Sequence, residues 1–169
     1  MSEVFFDFLK DPSRDSFLAI RQFIIDSEAY APYSDELFTA EELLEKGDFA
    51  AARDCLHATM PNLLLSGSAH MLLASATRKL GDEKRADFEN YVALACIDGI
   101  LSTGDGSRER PYLVLRTSDE YDVLLSQEKE PEMQSLVHDG DRVLDSQQCS
   151  DGSILWFDIT AAYRRLEPS

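Results

Sequence analysis

Residues 43–52, LLEKGDFAAA, and residues 77–86, TRKLGDEKRA, decide the fold of the first half of this chain. In each stretch a Gly-Asp pair stands between two apolar patterns that have helical spacing. Glycine readily adopts the left-handed backbone that ends a helix, and an aspartate after it can accept free N–H groups at the start of the next helix. Each stretch therefore predicts a tight turn between two helices.

The two turns repeat at a fixed interval, because Gly47 and Gly81 are 34 residues apart. An alanine stands seven residues before and five residues after each glycine, at Ala40, Ala52, Ala74 and Ala86. These small side chains let paired helices approach closely. A 34-residue period of paired helices is that of tetratricopeptide repeats, and residues 34–97 resemble two such units. The resemblance implies helix pairs that stack side by side.

Further helices are expected on both sides of the turns. Asp11, followed by a proline, is typical of a helix start, and we expect this helix to end near Tyr30, shortly before the next proline. The following helix begins at Ser34 or at Thr39, and the sequence leaves this choice open. The remaining helices are expected over residues 49–59, 68–80 and 83 to 98 or 99.

The pattern changes after residue 100, where turn residues separate short apolar runs. Thr117 and Glu120 suggest a capping box that opens a short helix through Leu125, and residues 126–132 suggest a loop. A closing helix is expected over residues 160–166. Strands are expected at Tyr112–Arg116, Leu136–Val137, Arg142–Gln147 and Ile154–Ile159.

Helices first and a mixed second half predict the α+β class, with antiparallel helix pairs followed by a small module containing a short antiparallel sheet. We divide the chain into a helical region, residues 1–100, and an α+β module, residues 101–169. We expect the module to pack on the helical region as one compact unit.

A series of short motifs runs through the second half of the chain. The motifs are Ile97–Leu101, Gly104–Gly106, Tyr112–Arg116, Asp119–Tyr121, Gln134–Leu136 and Trp156–Ile159. In this order they resemble a bacterial family of domains of unknown function. The resemblance covers most of residues 97–159 and implies a shared fold. The family brings no established activity and no catalytic residues.

The charge of the chain limits its partners. It carries 32 acidic and 16 basic residues, for a formal net charge of −16. An acidic surface repels phosphate backbones and anionic lipids, so we expect neither nucleic-acid nor membrane binding. The three cysteines show no Cys-x-x-Cys spacing, which favours reduced thiols in the cytoplasm.

Few residues suggest a catalytic, ligand-binding or metal-binding site. The segment 104–107, GDGS, lacks the lysine of a phosphate-binding loop and indicates a structural turn. The segments 138–141, HDGD, and 150–153, SDGS, indicate hairpin turns. His57 and His70 fall on different helices, and Asp158 is placed to cap the last helix. We assign no catalytic, cofactor-binding or metal-binding residue and no cofactor, and whether the protein is an enzyme stays open, with the sequence favouring that it is not.

Three functions remain. The first is a non-enzymatic interaction or adaptor protein that holds a protein or peptide against the helix pairs, with an oligomeric state that the sequence does not give. The second is a small enzyme or a ligand- or metal-binding domain at the junction of the two halves, using Asp98, Asp105, His138 or Asp141. The third is an acidic inhibitor or immunity-type protein that binds a basic partner.

Overall fold

The computed structural model describes residues 3–166, and within them helices surround a four-stranded sheet. The predicted α+β class is confirmed. In chain order the elements are α1 (Glu3–Lys10), α2 (Arg14–Ile25), α3 (Glu36–Glu45), α4 (Phe49–Ala58), α5 (Gly67–Lys79), α6 (Glu83–Leu101), β1 (Tyr112–Leu113), α7 (Thr117–Ser126), β2 (Pro131–Asp139), β3 (Arg142–Cys149), β4 (Ile154–Asp158) and α8 (Thr160–Tyr163).

Both Gly-Asp turns join two helices, as the sequence predicts. Gly47 has φ = +79° and Gly81 has φ = +89°, the left-handed conformation that glycine adopts without steric cost. The N–H of Asp48 bonds back to a carbonyl in the last turns of α3 at 2.9 Å. Its carboxylate caps α4 by accepting the N–H of Ala51 at 3.2 Å, and Asp82 accepts the corresponding N–H in α6 at 3.1 Å.

The alanines around the turns lie between packed helices. All four, Ala40, Ala52, Ala74 and Ala86, are at most 1% exposed. Successive helices from α3 to α6 pack on one another, and α3 also packs on α5. The small side chains therefore allow the close approach that the sequence pattern indicates. The resemblance to tetratricopeptide repeats stays a prediction.

The sheet has the strand order β1-β4-β3-β2, in which β1 runs parallel to β4 and the other neighbours are antiparallel. Both predicted hairpin turns are confirmed. Asp139 pairs with Arg142 across the β2–β3 turn, whose Gly140 has φ = +63°. Gly152, at φ = +83°, lies in the turn between β3 and β4.

The second helix differs from its prediction at both ends. Its cap is Ser13, not Asp11, because the Ser13 hydroxyl accepts the N–H of Ser16 and the Ser16 hydroxyl accepts the N–H of Ser13. It ends at Ile25, five residues before the predicted end at Tyr30. Tyr30 is buried instead among residues from the second half, so tertiary packing overrides the local helical pattern.

The predicted capping box of Thr117 and Glu120 is wrong. Asp119 is the residue that accepts N–H groups before α7, those of Leu115 and Arg116, at 2.9 and 3.2 Å. Because these two backbone groups bond to a side chain, β1 is only two residues long, shorter than the predicted strand.

Two other boundaries in the second half also differ. β2 begins at Pro131, inside the predicted loop, and is longer than the predicted pair Leu136–Val137. A proline is compatible with the first position of an edge strand, which needs no N–H there. α8 ends at Tyr163, three residues before the predicted end. The boundary between the predicted domains stays a prediction.

One hydrophobic cluster contains residues from both halves of the chain. Phe17 and Ile24 of α2 and Phe157 of β4 belong to it, and each is at most 1% exposed. Tyr30, in the same cluster, donates its hydroxyl to the carbonyl of Leu115 at 2.6 Å. The second half therefore packs on α2 and fixes its orientation relative to the sheet.

We predict that Gly99→Ala destabilises the protein by about 2 kcal/mol, because a Cβ atom at this position in α6 would clash with the ring of Phe17. Urea unfolding measures the loss. The double variant Gly99→Ala/Phe17→Leu is the control, since a smaller side chain in α2 makes room for the new methyl group. If the two single losses simply add, the proposed contact between α2 and α6 is wrong.

Candidate functional site

A groove of about 710 Å³ lies where α2 meets the end of β4 and α8. Ligand pockets commonly have volumes of roughly 300–1,000 Å³. α2 contributes Arg21, Gln22 and Ile25 to its walls, and the end of the last helix contributes Arg164 and Arg165. The groove is thus built from both halves of the chain.

A second depression of about 400 Å³ continues this groove, because Leu113, Arg142 and Asp158 line both. It adds Arg14, at the start of α2, and Arg110, in the loop before β1. Arg14 and Arg21 are two helical turns apart, which places them on the same side of α2. We call the two depressions together the junction groove.

Arginine is the dominant charged residue of the junction groove. Six of the 16 basic residues of the chain line it: Arg14, Arg21, Arg110, Arg142, Arg164 and Arg165. The acidic residues that line it are Glu109, Asp141 and Asp158. The junction groove therefore has a surplus of positive charge on a chain whose formal net charge is −16.

Two of these arginines already have carboxylate partners. Arg142 pairs with Asp139 at 2.6 Å and Arg110 pairs with Asp105 at 3.4 Å. Within residues 3–166, the other four have no carboxylate oxygen within 4.0 Å. These are Arg14, Arg21, Arg164 and Arg165. Their charges are available to a bound anion.

Arg21 is the most confined of the four. Its Nη2 donates to the carbonyl of Val114 at 3.2 Å, while its buried Nε has no hydrogen-bond partner in the described part of the chain. Burial lowers the pKa of the guanidinium, although Tyr30 and Asp158 act in the opposite direction. A partly desolvated cation of this kind gains from an anionic ligand.

Arg165 is held in place on the wall of the groove. It donates to the carbonyls of Ile25 and Ser27 at 2.9 and 3.2 Å. Its guanidinium also lies 5.2 Å from the centre of the Tyr30 ring, a cation–π geometry. This arginine is therefore pre-oriented, which reduces the entropy that ligand binding has to overcome.

The junction groove offers groups for binding more than groups for catalysis. Among the described residues, no histidine or cysteine lines it. Asp158 accepts the N–H of Thr160, the first residue of the last helix, at 2.9 Å, but Ile159 and not the predicted Asp158 holds the N-cap position. The arrangement can hold carboxylate or phosphate groups through guanidinium pairs.

The structure does not bring together the four residues considered for a junction site. Asp141 lines the groove, whereas Asp98 is exposed on α6. Asp105 stabilises the predicted structural turn by accepting the N–H of Ser107 at 3.1 Å, and its pKa is lowered by the Ser107 side chain first and by this N–H second. His138 packs edge-on against the ring of Tyr163 at 5.5 Å.

His70 belongs to a buried ion-pair network. Its Nδ1 lies 2.6 Å from a carboxylate oxygen of Glu89, and its Nε2 lies 3.1 Å from the carbonyl of Leu64. Arg85 pairs with the other oxygen of Glu89 at 2.6 Å. Burial raises the pKa of Glu89, but the bonds from His70 and Arg85 together lower it by more than burial raises it. The net shift is downward. His57 is exposed on α4.

The helix pairs keep an exposed face. Phe38 on α3 is 63% exposed and Met71 on α5 is 37% exposed. The second half reaches the pairs at the start of α5, where Asp122 accepts the N–H and the hydroxyl of Ser68 at 2.8 and 2.6 Å. Phe38 and Met71 therefore remain accessible to solvent.

The sequence did not predict a pair of carboxyl groups that is buried between α7 and β3. Glu120 is fully buried and Asp145 is 4% exposed. Gln147 donates to Glu120 at 2.9 Å, and Gln134 donates to Asp145. Burial raises the pKa of Glu120 to about 8, and the nearby Asp145 adds to the rise. The only sequence signal was the placement of Asp145 and Gln147 on alternate positions of an apolar strand.

Neither a metal site nor a membrane span is found in the described part of the chain. No group of three or more His, Cys, Asp or Glu side chains in residues 3–166 is arranged to hold a metal ion. No helix in this range is long and apolar enough to cross a membrane.

Comparisons of the chain with models of known families, with curated proteins and with solved structures found no match. The resemblance of residues 97–159 to a bacterial family of domains of unknown function therefore stays a prediction.

We predict that Glu120→Gln flattens the dependence of stability on pH. The pKa of Glu120 is 4.5 in the unfolded chain and about 8 in the folded protein. Its protonated form therefore stabilises the fold fully below pH 4.5, and this contribution is lost as pH rises through about 8. The ionisation of this residue is expected to lower the wild-type free energy of unfolding, measured with urea, by about 5 kcal/mol across this range.

The matched control is Glu132→Gln, since Glu132 is exposed on β2. This variant is expected to keep the wild-type pH profile. A Glu120→Gln profile that overlays the wild type would show that Glu120 is ionised in the folded protein at neutral pH, contrary to its environment between α7 and β3.

Proposed function

We propose that this protein is a non-enzymatic interaction protein that binds an acidic segment of another protein in the junction groove. The observation that carries the proposal is the concentration of six arginines along one groove of a chain with a net charge of −16. Scattered surface charge would place the arginines among the acidic residues. Their collection in a concave surface favours recognition of an anion.

The available arginines can contact several carboxylates at once. Arg14 and Arg21 lie along one side of α2, while Arg164 and Arg165 line the groove from the end of α8. A guanidinium forms two parallel hydrogen bonds to a carboxylate, with more geometric specificity than an ammonium group. A segment with several Asp or Glu residues can therefore bridge the two pairs of arginines.

The remaining lining residues suit a polypeptide. Ile25, Leu113 and Ala161 supply apolar surface between the charges. A nucleic acid carries a dense and continuous line of phosphates, which the acidic surface outside the groove repels. A short acidic segment concentrates its charge inside the groove, so it avoids most of that repulsion. The proposed partner is therefore a protein, and not a nucleic acid or a membrane.

Two alternatives have an observation in their favour. The partly desolvated Arg21 favours a small anionic ligand, which would make the junction a ligand site. The acidic helix α3, with Glu36, Glu41, Glu42 and Glu45, favours a basic partner of the inhibitor type. Both alternatives differ from the main proposal in the charge or the size of the molecule bound. Binding experiments therefore separate them.

We place the protein in the cytoplasm. The free thiols of Cys55, Cys96 and Cys149 support this assignment, because reduced cysteines are usual there. Cys96 is buried, and burial raises its pKa well above the ordinary value of a thiol. It is therefore held as a protonated and poorly reactive side chain.

The test uses a fluorescent glutamate-rich peptide and measures its Kd by anisotropy. The double variant Arg21→Gln/Arg164→Gln is expected to weaken binding by about tenfold or more, because hydrogen bonds to charged groups contribute roughly 1.5–3 kcal/mol each. Affinity of the wild type is expected to fall with added salt. Circular dichroism of the variant checks that it is folded.

The matched control is Arg53→Gln/Arg78→Gln, which removes the same charge from α4 and α5, outside the groove. It should bind the peptide as the wild type does. Equal losses of peptide affinity in both double variants would show that the loss comes from the change in net charge, which would contradict the proposal. Tighter binding of a lysine-rich peptide would favour the inhibitor alternative instead, and binding of free glutamate as tight as that of the peptide would favour the small-ligand alternative.

A further inference from the structure

A separate pocket of about 250 Å³ opens at the first residues of α7. Its polar walls are Tyr33 and Ser34, from the segment before α3, and Arg116, Thr117 and Ser118, at the start of α7. No residue of this wall also lines the junction groove. The pocket is therefore a distinct site on the molecule.

The start of α7 supplies backbone donors to this pocket. The first N–H groups of a helix have no partner within the helix, and they lie at the positive end of its dipole. Asp119 accepts the N–H groups of Leu115 and Arg116, which precede the helix. Within residues 3–166, the N–H groups of Thr117 and Ser118 have no such acceptor.

Arg116 is a buried cation on the wall of the same pocket. It is 4% exposed, and its Nη2 donates to the carbonyl of Asn62. Its Nε is buried and has no hydrogen-bond partner within residues 3–166. Asp119 Oδ1 lies 3.9 Å from this Nε, within ion-pair distance but beyond hydrogen-bond distance, and it also has no hydrogen-bond partner in the described chain.

Ser118 adds a second unsatisfied donor. Its hydroxyl is also buried without a hydrogen-bond partner in the described chain. Buried polar groups without partners are costly, and native proteins satisfy most of them with protein, water or ligand. Two such groups on one wall, beside a helix N-terminus, have the composition of an oxyanion site.

Asp119 is a carboxyl group close to this pocket, and its charge opposes a bound anion. Asp119 is 1% exposed, and it does not line the pocket. Burial raises its pKa to about 6, although Arg116 acts in the opposite direction. Its oxygen Oδ2 is already directed at the two backbone N–H groups of residues 115 and 116.

We infer that the N-terminus of α7 binds a phosphate group, free or as a monoester, through the N–H groups of Thr117 and Ser118, the Ser118 hydroxyl and the Arg116 guanidinium. Ser34 and Tyr33 supply further hydroxyl groups on the opposite wall. A water molecule has a volume of about 30 Å³, so a pocket several times larger accommodates a tetrahedral anion. The inference does not depend on the proposed function of the junction groove.

The test titrates the full chain with inorganic phosphate, and in a second arm with O-phosphoserine, at matched ionic strength in chloride. Backbone amide NMR signals of Thr117 and Ser118 are followed. Saturable shifts at these two amides are expected, and tighter binding of O-phosphoserine would assign the group to a monoester. The variant Ser118→Ala should bind phosphate about fivefold more weakly, since one neutral hydrogen bond contributes roughly 1 kcal/mol.

The variant Ser118→Asp places a tethered carboxylate in the pocket, so its amide shifts should no longer respond to phosphate. Ser75→Asp on α5 changes the net charge equally and should keep the response. Arg164→Gln, in the junction groove, should also keep it. Shifts confined to junction-groove residues, or a Ser118→Asp response equal to the wild type, would overturn the inference.

Discussion

The burial of one apolar face of α2 against α6 and the second half of the chain is the interaction on which the candidate site depends. Phe17, Ile20 and Ile24 are at most 1% exposed, and they belong to the cluster that also contains residues of the sheet. Burying a large apolar side chain contributes roughly 1.5–3 kcal/mol. With these residues inside, Arg14 and Arg21 lie along the junction groove, where the Nε of Arg21 is buried.

The sequence predicted the parts of the fold that depend on local chemistry. Both Gly-Asp turns and the two hairpin turns follow from a few neighbouring residues, and the structure contains them. The end of α2 and the cap of α7 depend on distant contacts. Tyr30 leaves the helical pattern because it packs against residues from the second half, and Asp119 replaces the predicted capping pair because it satisfies two N–H groups before the helix.

The sequence did not predict the candidate site, because the arginines of the site are scattered along the chain. Arg14 and Arg165 are separated by almost the whole described length, and only the packing of α2 beside α8 brings them to one groove. Because acidic residues are spread evenly along the sequence, the sequence does not reveal the local excess of positive charge in the junction groove. Of the residues that the sequence analysis considered for the junction, Asp141 alone lines the groove.

The most direct measurement follows the arginine Nε–H signals by NMR while a glutamate-rich peptide is added. The account predicts that the signals of Arg21 and Arg164 shift and saturate together. It also predicts that backbone signals of α3, around the exposed Phe38, remain unchanged. Shifts on α3 and α5 with no change at Arg21 and Arg164 would contradict the account and place binding on the helix pairs.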